Sequence, residues 1–178
     1  MEDKNLESNM QDYITLNDQA VTAMAIGEYR KACEYLYKAI EIKPDDHRLW
    51  YNLGIALIKL EEYGEAFKCF KKAREINPYD AEAWNNEGVT LARCGKLDEA
   101  LKCYNIALEI NPDFVKALVN KGITLVKLKE YGEAIKYFDK VLETEPNNTT
   151  VLYYKGIALG ELGYRDKAIE CINKIIRN

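Results

Sequence analysis

Histidine is nearly missing from this chain: His47 is the only one. A lone histidine with no Cys-x-x-Cys pair does not make the usual zinc site. The five cysteines (Cys33, Cys69, Cys94, Cys103 and Cys171) are odd in number and widely spaced, the pattern of reduced thiols rather than a disulfide framework. There is no G-x-x-x-x-G-K-[ST], no G-x-G-x-x-G and no nucleophile elbow, so the common phosphate cradles and the serine-hydrolase site are excluded. No apolar run approaches the roughly 20 residues of a spanning helix. The polar, acidic start from Met1 to Asp12 lacks the basic and apolar regions of a secretion signal. The net charge of −4 disfavours nucleic acid and anionic membranes, both of which select basic surfaces. These absences predict a cytoplasmic protein that is not an enzyme. They predict no cofactor, no metal, no nucleic-acid partner and no membrane insertion.

Proline is also scarce, and its placement decides the architecture. The only four, Pro44, Pro78, Pro112 and Pro146, are 34 residues apart each time. Ala32, Ala66, Ala100, Ala134 and Ala168 keep the same step. So do Gly54, Gly88, Gly122 and Gly156, with Ala20 in the first unit's slot. No strand-like alternation competes with this period. Each unit reads as two helices, here called A and B. In the second unit they span roughly His47 to Leu60 and Tyr63 to Glu75. Small residues such as Gly54 and Ala66 let helix backbones approach closely, and Trp50, Leu53 and Phe70 fill the surrounding space. Gly27, Gly95 and Gly163 stand just after helix A, where a left-handed cap is wanted, and Glu61 and Lys129 occupy that slot in the other two units. Pro78 and its equivalents stop helix B. Asp46, Asp80, Asp113 and Asn148 are expected to cap the next helix A.

The motif W-x2-L-G-x2-Y, A-x3-F, P marks the tetratricopeptide repeat. Trp50, Leu53, Gly54, Ala66, Phe70 and Pro78 match it, with Leu57 in the tyrosine slot. The third unit keeps Trp84, Gly88, Ala100, Tyr104 and Pro112, and the fourth keeps Gly122, Ala134, Phe138 and Pro146. The chain therefore resembles tetratricopeptide-repeat proteins. The expected organisation is a polar lead-in over 1–12 and one all-α domain over 13–178, with repeats 13–46, 47–80, 81–114, 115–148 and 149–178. The resemblance implies a right-handed superhelical solenoid of five helix-turn-helix repeats, with helices A on its concave face and helices B on its convex face. One hairpin cannot bury its own apolar face, so such units stack.

The resemblance also implies that the second, fifth, sixth, ninth, twelfth and thirteenth positions of each unit face a groove. The sixth position supplies Asn52, Asn86 and Asn120, able to donate and accept hydrogen bonds along a ligand backbone. Tyr51 and Tyr153 at the fifth position and Ile55 and Ile123 at the ninth add an apolar lining suited to a peptide or helix. Lys59, Arg93 and Lys127, with Lys116 at a second position, form a basic line that favours acidic residues or a free carboxylate. Packing of helix A on its neighbours and solvated helix ends are the competing uses of these residues. The family's chaperone-binding carboxylate clamp is matched only at Asn86 and Lys116, so that activity is not expected. The seventh position carries Glu87, Lys121 and Lys155 where leucine is usual, and Glu87 and Lys121, in adjacent units, are expected to form a solvent-reaching ion pair across the interface.

The last B helix carries Ile169, Ile172 and Ile176, with no further helix A to cover them. An uncovered apolar edge invites self-association. The expected function is a non-catalytic protein-interaction module or adaptor holding a peptide or helix of an unidentified protein in the concave groove. The alternative is a structural self-assembly unit that forms a homo-oligomer through the Ile169, Ile172 and Ile176 edge.

Overall fold

A computed structural model describes the backbone of residues 2–177 and the side chains of residues 12–177. Among the described residues there are ten α-helices and no strand. They are α1 (Glu2–Ala25), α2 (Tyr29–Ile42), α3 (His47–Lys59), α4 (Tyr63–Ile76) and α5 (Ala81–Arg93), then α6 (Leu97–Ile110), α7 (Val115–Lys127), α8 (Tyr131–Thr144), α9 (Thr149–Glu161) and α10 (Arg165–Arg177). The odd-numbered helices are the A helices and the even-numbered ones the B helices, giving an all-α helical-repeat solenoid. Helical backbone begins at Glu2, within the segment expected as a lead-in. The side chains of residues 1–11, on which its polar role rests, lie outside the described residues.

The chain divides into two compact units, residues 1–94 and 95–178. In the first, α1 packs on α2, α2 on α3, α3 on α4 and α4 on α5, and α1 also touches α3. The apolar periodicity explains the stacking. In α4, Ala66, Cys69, Phe70 and Ala73 are buried, a stripe at the three- and four-residue spacing of one helix face. In α3 the buried set is Leu49, Leu53, Gly54, Ala56 and Leu57. In the second unit, α6 packs on α7, α7 on α8, α8 on α9 and α9 on α10, while α7 also touches α9. Its core gathers Leu118, Leu125, Phe138, Val141 and Val151 in one cluster, and Leu152, Leu159 and Cys171 in another.

The helix ends follow local chemistry. Gly27, Gly95 and Gly163 adopt φ of 82°, 78° and 84°. Glu61 and Lys129 take the same left-handed conformation, at 62° and 63°, despite their side chains. The Asp46 side chain accepts from the Arg48 N–H, Asp80 from those of Glu82 and Ala83, and Asn148 from that of Val151. Asp113 departs from expectation. Phe114 is the N-cap residue of α7 and makes no side-chain cap. Asp113 stands one residue too early, and its carboxylate pairs with Lys140 at 3.0 Å.

Two side-chain bonds to the inter-repeat turns were not anticipated. The indole N–H of Trp50 donates to the Pro44 carbonyl at 2.8 Å, and that of Trp84 to the Pro78 carbonyl at 2.9 Å. Leucine replaces tryptophan at Leu118, and there Lys140 donates to the Pro112 carbonyl at 2.7 Å.

Candidate functional site

The A helices carry the expected groove residues, and within the first unit they are joined by a polar ladder. The Asn52 amide on α3 donates to the Asn17 side-chain oxygen on α1 at 2.9 Å. The Asn86 amide on α5 donates to the Tyr51 hydroxyl on α3 at 3.0 Å. Both bonds link a sixth-position asparagine to the fifth-position residue of the preceding A helix. Tyr51 in turn donates to the Glu82 carboxylate at 2.9 Å. Burial, then the neighbouring Glu82 carboxylate, push the Tyr51 phenol well up, so it remains a hydroxyl donor. Its ring meets Phe70 edge to face at 5.9 Å. Asn85 adds a bond to the Asn86 side-chain oxygen at 3.3 Å. Asn17, Glu82 and Asn85 were not among the expected site residues. The signal for Asn17 was available, since it shares the fifth slot with Tyr51.

Along the same faces, Ile55 and Ile58 are half-buried and pack on the first unit's core. Lys59 and Arg93 are exposed in the last turns of α3 and α5. The helix dipole already favours cations there. In the second unit Val119, Ile123 and Val126 are half-buried against the core, and Asn120 is half-buried on the same helix. Lys116 and Lys127 are exposed at the two ends of α7. Tyr153 is 57% exposed and meets Tyr154 edge to face at 5.3 Å. The structure thus forms two rungs on α3, Asn52 bonded to α1 and Tyr51 bonded to Asn86 of α5. Lys59, Arg93, Lys116 and Lys127 lie on the surface outside that ladder.

The seventh-position charges behave differently from expectation. Glu87 is buried, 3% exposed, rather than solvent-reaching. Its carboxylate accepts from Arg74 at 2.5 Å, and Arg74 lies 4.4 Å over the Trp84 ring. Burial pushes the Glu87 carboxyl up, and Arg74 opposes that shift. Lys121 donates to Asn105 and to the Tyr137 hydroxyl, and Lys155 pairs with Asp139. Each charge is satisfied by the B helix beside it, a use the repeat spacing alone does not reveal.

Four of the five cysteines are buried and all are free thiols. Burial raises Cys33 and Cys171, and pushes Cys69 up to about 12, which makes them poor nucleophiles. Among the described residues no group of three His, Cys, Asp or Glu side chains is placed to hold a metal. No described helix is long and apolar enough to cross a membrane.

Models of the tetratricopeptide repeat match residues 47–80, 81–114 and 115–148, and a related model of the same repeat matches 15–46. The chain belongs to the tetratricopeptide-repeat family. The α9–α10 hairpin follows the four matched repeats. No curated protein sequence matches the chain. Among solved tetratricopeptide-repeat and other structures, it is similar to YrrB, described as a TPR protein with an unusual peptide-binding site. The identity is 25%, with 98% of this chain and 90% of YrrB covered and a TM-score of 0.78. It shares its fold with MamA from Desulfovibrio magneticus RS-1 at 19% identity, covering 93% of this chain and 94% of that one, with a TM-score of 0.85. It also shares it with pilF of Pseudomonas aeruginosa at 20% identity, covering 96% and 78%, with a TM-score of 0.85. The tetratricopeptide repeat is in general a non-catalytic protein-interaction fold.

Proposed function

We propose that this chain is a non-catalytic adaptor, acting in the cytoplasm, that holds a peptide or helix of a partner protein against its A helices, the concave groove of the family. The observation that carries this reading is the ladder joining α1, α3 and α5. It pins Tyr51, Asn52 and Asn86 in one orientation, so a ligand meets polar groups already ordered. Half-buried Ile55 offers apolar contact in the same unit, and in the second unit Ile123 is half-buried and Tyr153 presents an exposed aromatic face. Lys59, Arg93, Lys116 and Lys127 favour a ligand with acidic residues or a free carboxylate. YrrB, a peptide-binding member of the family, supports the same use.

The test is to pan a random peptide library against the full chain and measure the selected peptides by fluorescence polarisation. The expected peptides combine apolar residues with acidic ones or a free C-terminus. Lys59→Glu with Arg93→Glu is expected to weaken them by about tenfold or more. Selected peptides that bind this variant and a Tyr153→Ala variant as well as the intact chain would place the ligand elsewhere.

A further inference from the structure

Helix α10 has two apolar faces, and only one is used inside the chain. Cys171, with Ala168 and Ile175, packs on the core cluster of Leu152 and Leu159. Ile169, Ile172 and Ile176 lie on the adjoining face and are 54%, 51% and 76% exposed. Ile172 stands in the repeat slot of Leu36, Phe70, Tyr104 and Phe138, none of which is more than 1% exposed. Arg165, Ile169, Ile172 and Ile176 form one stripe at helical spacing. Asp166 and Arg177 flank that stripe on the same side.

In α1 the slots filled in α3 by buried Leu49, Leu53 and Ala56 hold exposed Thr15, Gln19 and Thr22. Head-to-tail stacking of copies would press the three isoleucines onto these polar side chains, with exposed Ile26 the one apolar residue continuing their row. A second copy presents the same three isoleucines, flanked by charges of opposite sign at Asp166 and Arg177, so the stripe is complementary to itself.

We propose that α10 is a self-pairing surface, on which two copies of the chain dimerise by packing these helices antiparallel about a two-fold axis between Cys171 and Ile172. In that register Ile169 sits level with the gap between the partner's Ile172 and the partner's Ile176. Ile172 fits between the partner's Ile169 and the partner's Ile172, so the stripes interdigitate. Asp166 comes level with the partner's Arg177, and symmetry makes that ion pair twice. A parallel pairing would leave Asp166 and the partner's Arg177 eleven residues apart along the helices and so lose both ion pairs. One helix pair buries less than the roughly 800 Å² per partner of a standard stable complex. The dimer is therefore reversible, with a dissociation constant in about the micromolar range. This surface lies on a B helix and is independent of the A-helix reading.

Sedimentation velocity of the full chain over a concentration series tests the pairing. The intact chain is expected to pass from monomer to dimer and no further. Ile172→Asp and Ile176→Lys are each expected to raise the dissociation constant about tenfold or more, with circular dichroism and melting unchanged. Two substitutions guard against a folding defect in either one. Asp166→Arg alone is expected to weaken the dimer, and Asp166→Arg with Arg177→Asp to restore it. An intact chain that stays monomeric at high concentration overturns the proposal, whether or not some other protein covers the face. So does a polymer that grows beyond the dimer, a dimer indifferent to both isoleucine variants, or a charge exchange that fails to restore pairing.

Discussion

Gly54 and the ring of Phe70 are packed so closely that a Cβ on the glycine would lie 2.7 Å from two ring carbons. Gly122 and Phe138 repeat the relationship, with the nearest ring carbon at 2.5 Å. The periodic glycine is thus the space into which the periodic aromatic fits. At Gly156 the aromatic slot holds outward-facing Ile172, and the nearest atom to an added Cβ is the Cys171 Cβ at 3.5 Å. We expect Gly54→Ala to destabilise the protein by about 1–3 kcal/mol through overpacking. Gly156→Ala should instead be neutral or stabilising, since alanine is the better helix former by about 1 kcal/mol. Urea unfolding of both variants checks this, and equal losses would refute the packing argument.

Glu61 and Lys129 hold left-handed backbone that costs a side-chain-bearing residue roughly 1 kcal/mol. Their three counterparts are glycines. Glu61→Gly and Lys129→Gly are each expected to raise stability by up to about 0.5 kcal/mol after the entropy of the unfolded glycine is counted. Thermal melts of the single and double variants read the gain, and the two sites lie in different units, so the effects should add.

Glu87 titrates against burial, which raises its folded pKa above the unfolded value. The folded chain therefore takes up this proton first as pH falls. Stability contributed by protonation is absent near neutrality and grows as pH drops through the folded pKa towards the unfolded one. The melting temperature of the intact chain minus that of Glu87→Gln should rise on acidification from pH 7. A constant difference across that window would remove the burial argument.

The Asn17–Asn52 bond is part-buried and joins two helices. Asn52→Ala should cost about 1 kcal/mol, measured by denaturant unfolding. Lys59→Gln and Arg93→Gln, at exposed positions, remove only a small helix-dipole contribution and should each change stability by no more than about 0.5 kcal/mol. The ladder and the basic line are thereby separable, one read in stability and the other in ligand affinity.

The repeat period carried most of the fold, because 34-residue spacing of Pro44, Gly54 and Ala66 reports helix ends and close helix contacts directly. Helix caps were legible where the side chain stood in the right register, as at Asp46, Asp80 and Asn148. Asp113 failed by one residue, since capping depends on the position where the backbone turns helical and not on the presence of an acid nearby. The site was only half legible. Periodicity marked Asn52 and Asn86 as a series, but their partners come from the helix 35 residues earlier, and only packing brings Asn17 and Tyr51 alongside. Burial of Glu87 was invisible for the same reason, because Arg74, which pairs with it and lies over the Trp84 ring, comes from the neighbouring helix.

The central claim is that a peptide or helix docks on the A helices, and residue-resolved NMR of the full chain titrated with a panned peptide tests it most directly. The account predicts shift changes concentrated on Tyr51, Ile55, Asn86, Ile123 and Tyr153, on helices α3, α5, α7 and α9. Changes concentrated on the B helices α4, α6 and α8, with those residues unmoved, would contradict it.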